Sequence, residues 1–365
     1  MAAQRTSYRG CLLGMAVGDA MGYTVDSRSW QEIQEDYGPN GLMGYDLVNG
    51  YAEISSYTQL AAFTCNGLLF GLTRGQLQGK MAPFIQYINL SCRDWAASQR
   101  SWGRPTQHIC WLLRRKEMCQ RHCMDTRMLD TLSREKVGSL EDPVNNYNTP
   151  ASLSCAIGVG MFFNRDRGER QEIDRLGAEA VALTHGSPTA FLSGAMLTRI
   201  ISRSLSHPNA PLKRILKEAV DAVRDEFGHQ YSQAYDLGNL VRYAVAYAES
   251  DMNPAEVMER FHCENAAQVL AGAIYACLVS KGDFDTAMII AVNHSGRSAA
   301  VGSIVGAILG ARLGEEALPE FYIECLEPAP ILRELADDLF DGCPMEMGSK
   351  LFDLDWDYKY RHGGK

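Results

Sequence analysis

The chain has 365 residues, 46% of them hydrophobic, and a formal net charge of −9 at pH 7. That length and apolar content supply a sizeable core. The acidic balance argues against a nucleic-acid surface, which needs clustered positive charge, and apolar runs such as 301–311 fall short of the roughly 20 residues that cross a bilayer.

The first helix is predicted in RGCLLGMAVGDAMG, where Gly10, Gly14, Gly18 and Gly22 recur at i, i+4 and leave one side bare. Gly302, Gly306, Gly310 and Gly314 repeat that spacing in the late stretch NHSGRSAAVGSIVGAILGARLG, residues 293–314. Each helical glycine costs roughly 0.5–1 kcal/mol relative to alanine, so each ridge predicts a close-packed partner and the two predict each other. Asp19, His294, Ser295 and Arg297 are the polar interruptions nearest that contact, which makes it the place for a site.

A long loop follows the first helix, with turns at 38–41 and at Asn49-Gly50. Helix resumes in SSYTQLAAFTCNGLLFGL, capped by Ser55 or Ser56. Over 75–140 the pattern predicts amphipathic helices carrying Trp95, Trp102 and Trp111, and the basic run 114–127 reads as a solvated helix face. His108, Cys110, Cys119, His122 and Cys123 are metal-ligand types, but their spacing does not converge them on one face, and they are read as ordinary histidines and thiols. The stretch SLEDPVNNYNTP, 139–150, is a connecting loop. Helical periodicity then runs through 151–163, 173–203, 221–227, 234–249, 266–280 and 286–292, with Pro208, Pro211 and Pro254 between segments. No run alternates long enough for a strand, and no repeat has solenoid length. The expectation is an all-α protein with a single domain over 1–350. A tail, 351–365, is expected to pack through Leu351, Phe352, Leu354 and Trp356 and to end loose. Eleven scattered cysteines without a secretory-type leader point to reduced thiols and a cytoplasmic location.

Three stretches, in order and spacing, resemble one known family: GCLLGMAVGDAMG near the start, LTHGSP at 183–188, and AVNHSGRSAAVGSIVGAILGARLGEEALP at 291–319. They are similar to the opening helix, Thr-His stretch and late signature of the ADP-ribosylglycohydrolases, also called the dinitrogenase-reductase-activating glycohydrolase family. The resemblance covers most of the chain and implies a compact orthogonal helical domain. It also implies cleavage of an N- or O-glycosidic bond to ADP-ribose at two Mg²⁺ ions. In the family those ions are held by a Thr-Asp-Asp element opening an early helix and an Asp-x-Asp-Thr element before the late glycine-rich helix. Hard cations want such anionic oxygen ligands.

This chain departs from the pattern at each of those positions. Ser55, Ser56 and Tyr57 stand at the first element, and Arg297, Ser298, Ala299 and Ala300 at the second. Tyr57 adds bulk, Ala299 has no donor atom, and Arg297 brings a fixed positive charge where a dication would sit. Neither magnesium nor another cofactor is therefore expected. The family's glycine-rich loop and Met-Arg are replaced in YNTPASLSCAIG, with Tyr147, Asn148 and Thr149 for the small residues and Leu153 for the arginine.

Three functional readings follow. The first is a pseudoenzyme serving as a ligand-binding or protein-interaction module, its vestigial cleft lined by Ser55, Ser56, Tyr57, Asn148, His294 and Arg297. In it Tyr57 and Arg297 form a pocket for ADP-ribose, a nucleotide or another small anion, while Asp26 or Asp19 pairs with Arg297 in place of the lost ions. The second is an active hydrolase of an ADP-ribosyl or related bond, with Asp19 or Asp26 as acid or base. The third is a structural partner of an active relative, in contact through the tail aromatics and the region 95–111. His185 and His294 are expected to hydrogen-bond within the core. Nucleic acid and membrane are not expected as partners.

Overall fold

The computed structural model describes residues 4–100, 107–163, 170–348 and 350–365; Trp102 lies outside them. Seventeen α-helices occur among the described residues. In chain order they are α1 Arg5–Tyr23, α2 Trp30–Tyr37, α3 Ser56–Gln78, α4 Phe84–Ser98, α5 Thr126–Ser133, α6 Leu153–Phe162, α7 Arg170–Ala182, α8 Pro188–Ser206 and α9 Leu212–Phe227. They continue with α10 Gln233–Ala248, α11 Pro254–Phe261, α12 Ala266–Val279, α13 Phe284–Val292, α14 Ser298–Leu313, α15 Glu320–Glu324, α16 Ala329–Asp341 and α17 Leu354–Tyr360. Extended pairing among the described residues is limited to two isolated bridges, Val48 with Tyr51 and Ala52 with Leu326. No helix among them is long and apolar enough to cross a membrane.

The centre is the antiparallel pair α1 and α14. Gly10 lies on Gly310, Gly14 on Gly306, Gly18 on Gly302, and Gly22 on the backbone of Ser298. A methyl group at any of the four α1 positions would overlap a backbone carbonyl of α14, so the bare ridges let the two backbones touch, as their spacing implies. This contact joins the two ends of the chain and sets the last turn of α1 beside the first turn of α14.

Small residues also seat α3. Gly67 lies against Ser91 and Gly71 against the Tyr87 ring, both of α4, while Gly158 of α6 meets Thr64 of α3. The loop after α1 holds a helix that hydrophobic periodicity does not reveal, α2, opened by a capping box between Ser29 and Glu32. Further on, the loop is tied down by Asn293, whose Oδ1 accepts from Leu42 N at 2.8 Å and whose Nδ2 donates to Leu42 O at 2.9 Å.

Other expected helices are cut differently. Up to α5, which opens at Thr126, the basic run 114–127 is irregular backbone with short 3₁₀ turns at Trp111–Arg114 and Lys116–Met118 rather than a helix face, although Arg114, Arg115, Lys116 and Arg121 are exposed. The periodic run 173–203 is two helices, divided at Leu183–Ser187. Pro254 opens α11 at its first position instead of separating segments.

Of the four residues expected to pack the tail, Trp356 does so, joined by Tyr360. Leu351, Phe352 and Leu354 are exposed, whereas Trp356 and Tyr360 are buried. Trp356 Nε1 donates to Thr73 Oγ1 at 2.9 Å, and Lys359 Nζ reaches Asp338 at 2.8 Å. The final residues are not loose either: Gly363 and Gly364 are buried against the backbone of His108, Ile109 and Trp111. Trp95 and Trp111 are buried as well, 0% and 2% exposed, so the region 95–111 offers neither ring as a contact surface.

Candidate functional site

The α1–α14 crossing brings Asp19, in the last turns of α1, beside the start of α3. The Asp19 carboxylate is fully buried and takes four hydrogen bonds. Its Oδ2 accepts from Ser55 N and Thr58 N, each at 3.0 Å, and from Thr58 Oγ1 at 2.6 Å; its Oδ1 accepts from Ser55 Oγ at 2.5 Å. Asp19 therefore caps α3 from another helix, serving amides that a helix start leaves without partners. Burial pushes its carboxyl up to about 6 against the downward pull of the Ser55 and Thr58 donors.

Asp26 does the same for α14. Its Oδ1 accepts from Ala299 N at 3.0 Å and its Oδ2 from Ser27 Oγ at 2.9 Å. Burial raises this carboxyl too, opposed by the Ala299 and Ser27 hydrogen bonds and by the charge of Arg297. Arg297 Nη1 stands 3.7 Å from Asp26 Oδ2 and donates to Ser27 Oγ at 2.8 Å, and its Nε is 3.6 Å from Glu264. Of the two candidate partners for Arg297, the structure thus selects Asp26; Asp19 faces the start of α3.

The remaining cleft residues divide into two groups. Ser56 is tied to the segment after the 3₁₀ turns: its N donates to His122 O and its Oγ accepts from Met124 N, both at 3.0 Å. Tyr57 is 3% exposed, and its phenol is held above its usual range by burial and then by the charge of Asp26, with Arg297, Asp19 and Asp125 also in electrostatic reach. Asp125 belongs to a second cluster.

That cluster was not anticipated as a unit. Thr184 Oγ1 lies 3.0 Å from His185 Nδ1, His185 Nε2 lies 2.7 Å from Thr149 Oγ1, and Thr149 Oγ1 donates to Asp125 Oδ2 at 2.7 Å. Because the Thr149 proton goes to Asp125, Thr149 accepts from a protonated Nε2, which makes His185 the neutral tautomer with Nδ1 accepting from Thr184. Burial lowers the His185 pKa against the pull of Asp125. Arg127 clamps Asp125 with two side-chain bonds of 2.8 Å and stacks on the Tyr147 ring at 5.0 Å. Burial would raise the Asp125 carboxyl, but the bonds from His185, Arg127 and Thr149 prevail and hold it far below the usual carboxylate range. Asp125 also caps α5 through Arg127 N at 3.1 Å, and an aspartate before TRMLDTLS was the available sequence signal.

Asn148 joins this wall through its backbone, its carbonyl accepting from Ala266 N at 3.1 Å, while its buried Oδ1 has no hydrogen-bond partner. His294 is a core residue: Nε2 donates to Ala291 O at 3.0 Å, Nδ1 is buried without a partner, and burial holds the ring neutral, its pKa lowered to about 4. Among the described residues no three His, Cys, Asp or Glu side chains are grouped to hold a metal. His122, one of the ligand types singled out, hydrogen-bonds Ile54 O at 2.8 Å.

Comparison with known proteins agrees with this architecture. The family profile described as ADP-ribosylglycohydrolase matches residues 1–347. An uncharacterized protein of Archaeoglobus fulgidus is 24% identical over 336 residues, spanning 92% of this chain and 96% of its own. A solved structure of an ADP-ribosylglycohydrolase-related protein complex is similar in fold, with a TM-score of 0.54 and 20% identity over 93% of this chain and 98% of that one.

Proposed function

Since the chain belongs to the ADP-ribosylglycohydrolase family, we propose that it is a non-hydrolytic member that binds an ADP-ribose-type ligand without magnesium, in a reducing compartment such as the cytoplasm. The observation that carries this reading is the direction of the two acids nearest the family's metal positions. Asp19 is engaged at both oxygens by the start of α3, and Asp26 is turned onto the start of α14 with Arg297 beside it. The positions themselves hold Ser55, Ser56, Tyr57, Arg297 and Ala299, which supply no carboxylate, and the Arg297 guanidinium already stands beside Asp26. This donor set does not fit two dications, and no reaction step is drawn through them.

Binding is supported by the second cluster. Arg127 clamps Asp125 and lies over the Tyr147 ring, yet its side chain is 48% exposed and offers a cation to a phosphate. The reading is tested by thermal-shift titration with Mg²⁺, with ADP-ribose and with both, beside a hydrolysis assay on an ADP-ribosylated protein. A ligand at a hundredfold excess over its Kd stabilises the folded state by about 2.7 kcal/mol. The expected result is a shift with ADP-ribose that magnesium does not enlarge, and no turnover. A shift that needs Mg²⁺, or metal-dependent release of ADP-ribose, overturns the proposal.

A further inference from the structure

The loop between α2 and α3 ends in a two-residue hairpin. Val48 N donates to Tyr51 O at 2.9 Å and Tyr51 N to Val48 O at 3.0 Å. Asn49 and Gly50 between them have φ of 53° and 85°, the left-handed pair of a type I′ turn, which Asn-Gly adopts readily. Ala52 N then donates to Cys325 O at 2.9 Å, which fixes the hairpin to the segment between α15 and α16. This tip exposes apolar side chains: Val48 is 48% and Tyr51 52% exposed. Singly exposed apolar residues need no explanation, but a preorganised group around a tyrosine is the anatomy of an interaction surface.

Concave surface adjoins the tip on both sides. A cavity of about 650 Å³ runs from Tyr51 along α15 to Arg333, and a smaller one of about 180 Å³ runs from Val48 and Tyr51 to Glu117; they share Tyr51 and Glu327. Their rims carry Glu53, Glu117, Glu320 and Glu324. The two cations there are already engaged, Lys116 with Glu327 and Arg333 with Glu315. We propose that Val48 and Tyr51, with the two flanking grooves, form a docking surface for a basic amphipathic segment of a partner protein. Apolar side chains of that segment cover the hairpin tip while its lysines or arginines meet the rim glutamates. Charge complementarity selects this occupant over a second copy of the chain, which would bring glutamates against glutamates and whose net charge is −9.

The proposal does not rest on ligand binding in the cleft, so its failure leaves that reading untouched. The test uses the full chain and a fluorescent Leu/Lys amphipathic helical peptide, with a Leu/Glu peptide of the same pattern as control, read by anisotropy at two salt concentrations and by hydrogen exchange. The Leu/Lys peptide is expected to bind more weakly at higher salt, to protect amides in 45–54 and 315–330, and to lose about tenfold in affinity with Tyr51→Ala or with the double variant Glu320→Gln, Glu324→Gln. Glu256→Gln, at another groove, is expected to leave binding unchanged. No binding, equal binding of the Leu/Glu peptide, protection confined to other segments, or full affinity in the Tyr51→Ala protein with an unaltered melting curve each overturns the proposal.

Discussion

Replacing Gly18 by alanine tests the crossing on which the site is built. A methyl there overlaps the Gly302 carbonyl, and even the Gly302 Cα lies only 3.0 Å from it. All three nearest atoms are backbone in the middle of a helix, so no side chain can rotate away and α1 and α14 have to separate. Overpacking of a tight core costs about 1–3 kcal/mol; backbone against backbone belongs at the upper end, and alanine returns about 1 kcal/mol of helix propensity. The net loss is about 2 kcal/mol. With an unfolding entropy of about 2.1 cal/mol/K per residue, a chain of 365 residues loses about 3 °C in Tm, and the double variant Gly14→Ala, Gly18→Ala about twice that. Gly75→Ala is the internal control, because the added methyl meets only the side chain of Met81, which is half exposed and free to move. Its Tm is expected to stay level or rise by about 1 °C. Differential scanning calorimetry on the three proteins decides the matter, and a Gly18→Ala protein as stable as the Gly75→Ala protein would refute a backbone contact between the glycine ridges.

Three further outcomes follow from the charges. Asp19 has a carboxyl raised from 3.8 to about 6 by burial, so the folded state holds its proton more tightly than the unfolded chain. The stability this contributes is complete below pH 3.8 and lost as pH rises through about 6, about 3 kcal/mol in all; Asp19→Asn should flatten that part of a urea-denaturation profile measured between pH 4 and 7. Asp125 is the opposite case. Its depressed carboxyl contributes stability that is full above pH 3.8 and lost progressively as pH falls from there toward the folded value, so Asp125→Ala should cost about 2–3 kcal/mol at pH 7 and less at pH 3, with equal deficits at both pH values counting against it. Arg297 is one-third exposed and its pairing with Asp26 is partly screened, so Arg297→Ala should remove only about 1 kcal/mol. The sharper readout is a carboxyl-carbon NMR titration of Asp26, which should move to still higher pH; an unmoved titration would mean that the pair carries no interaction.

The parts of the fold legible in the sequence are those whose physical requirement is itself a sequence feature. Two backbones in contact need positions without a Cβ at every helical turn, and that is what Gly10 to Gly22 and Gly302 to Gly310 spell out. The segment 107–125 was misread because its conformation is imposed from a distance. Asp94 accepts from Ile109 N at 2.8 Å and Cys110 N at 3.0 Å, pinning a chain that local periodicity would wind into helix. The tail inverts for an electrostatic reason. Asp338 of α16 and Glu334 draw Lys359 inward, where its side chain is 5% exposed, and the leucines and Phe352 that hydropathy would bury are left outside. Helix α2 could have been found, since Ser29-x-x-Glu32 is a capping pattern that hydrophobic spacing alone passes over.

The site was legible in what its positions lack and illegible in where its acids point. Serine, tyrosine, arginine and alanine at the family's ligand positions are plain in the chain, because side-chain chemistry needs no coordinates. That Asp19 serves α3 across 36 residues and Asp26 serves α14 across 273 depends on the α1–α14 crossing, and no local rule contains it. The consequence is physical as well as topological. The start of a helix carries a partial positive charge and unpaired amides, and a carboxylate from the same chain meets both demands. A cation beside Asp19 would face a carboxylate that already accepts four hydrogen bonds, and beside Asp26 it would face Arg297. In the second cluster Arg127 keeps an exposed cation: its guanidinium clamps Asp125 and lies over the Tyr147 ring, yet its side chain is 48% exposed.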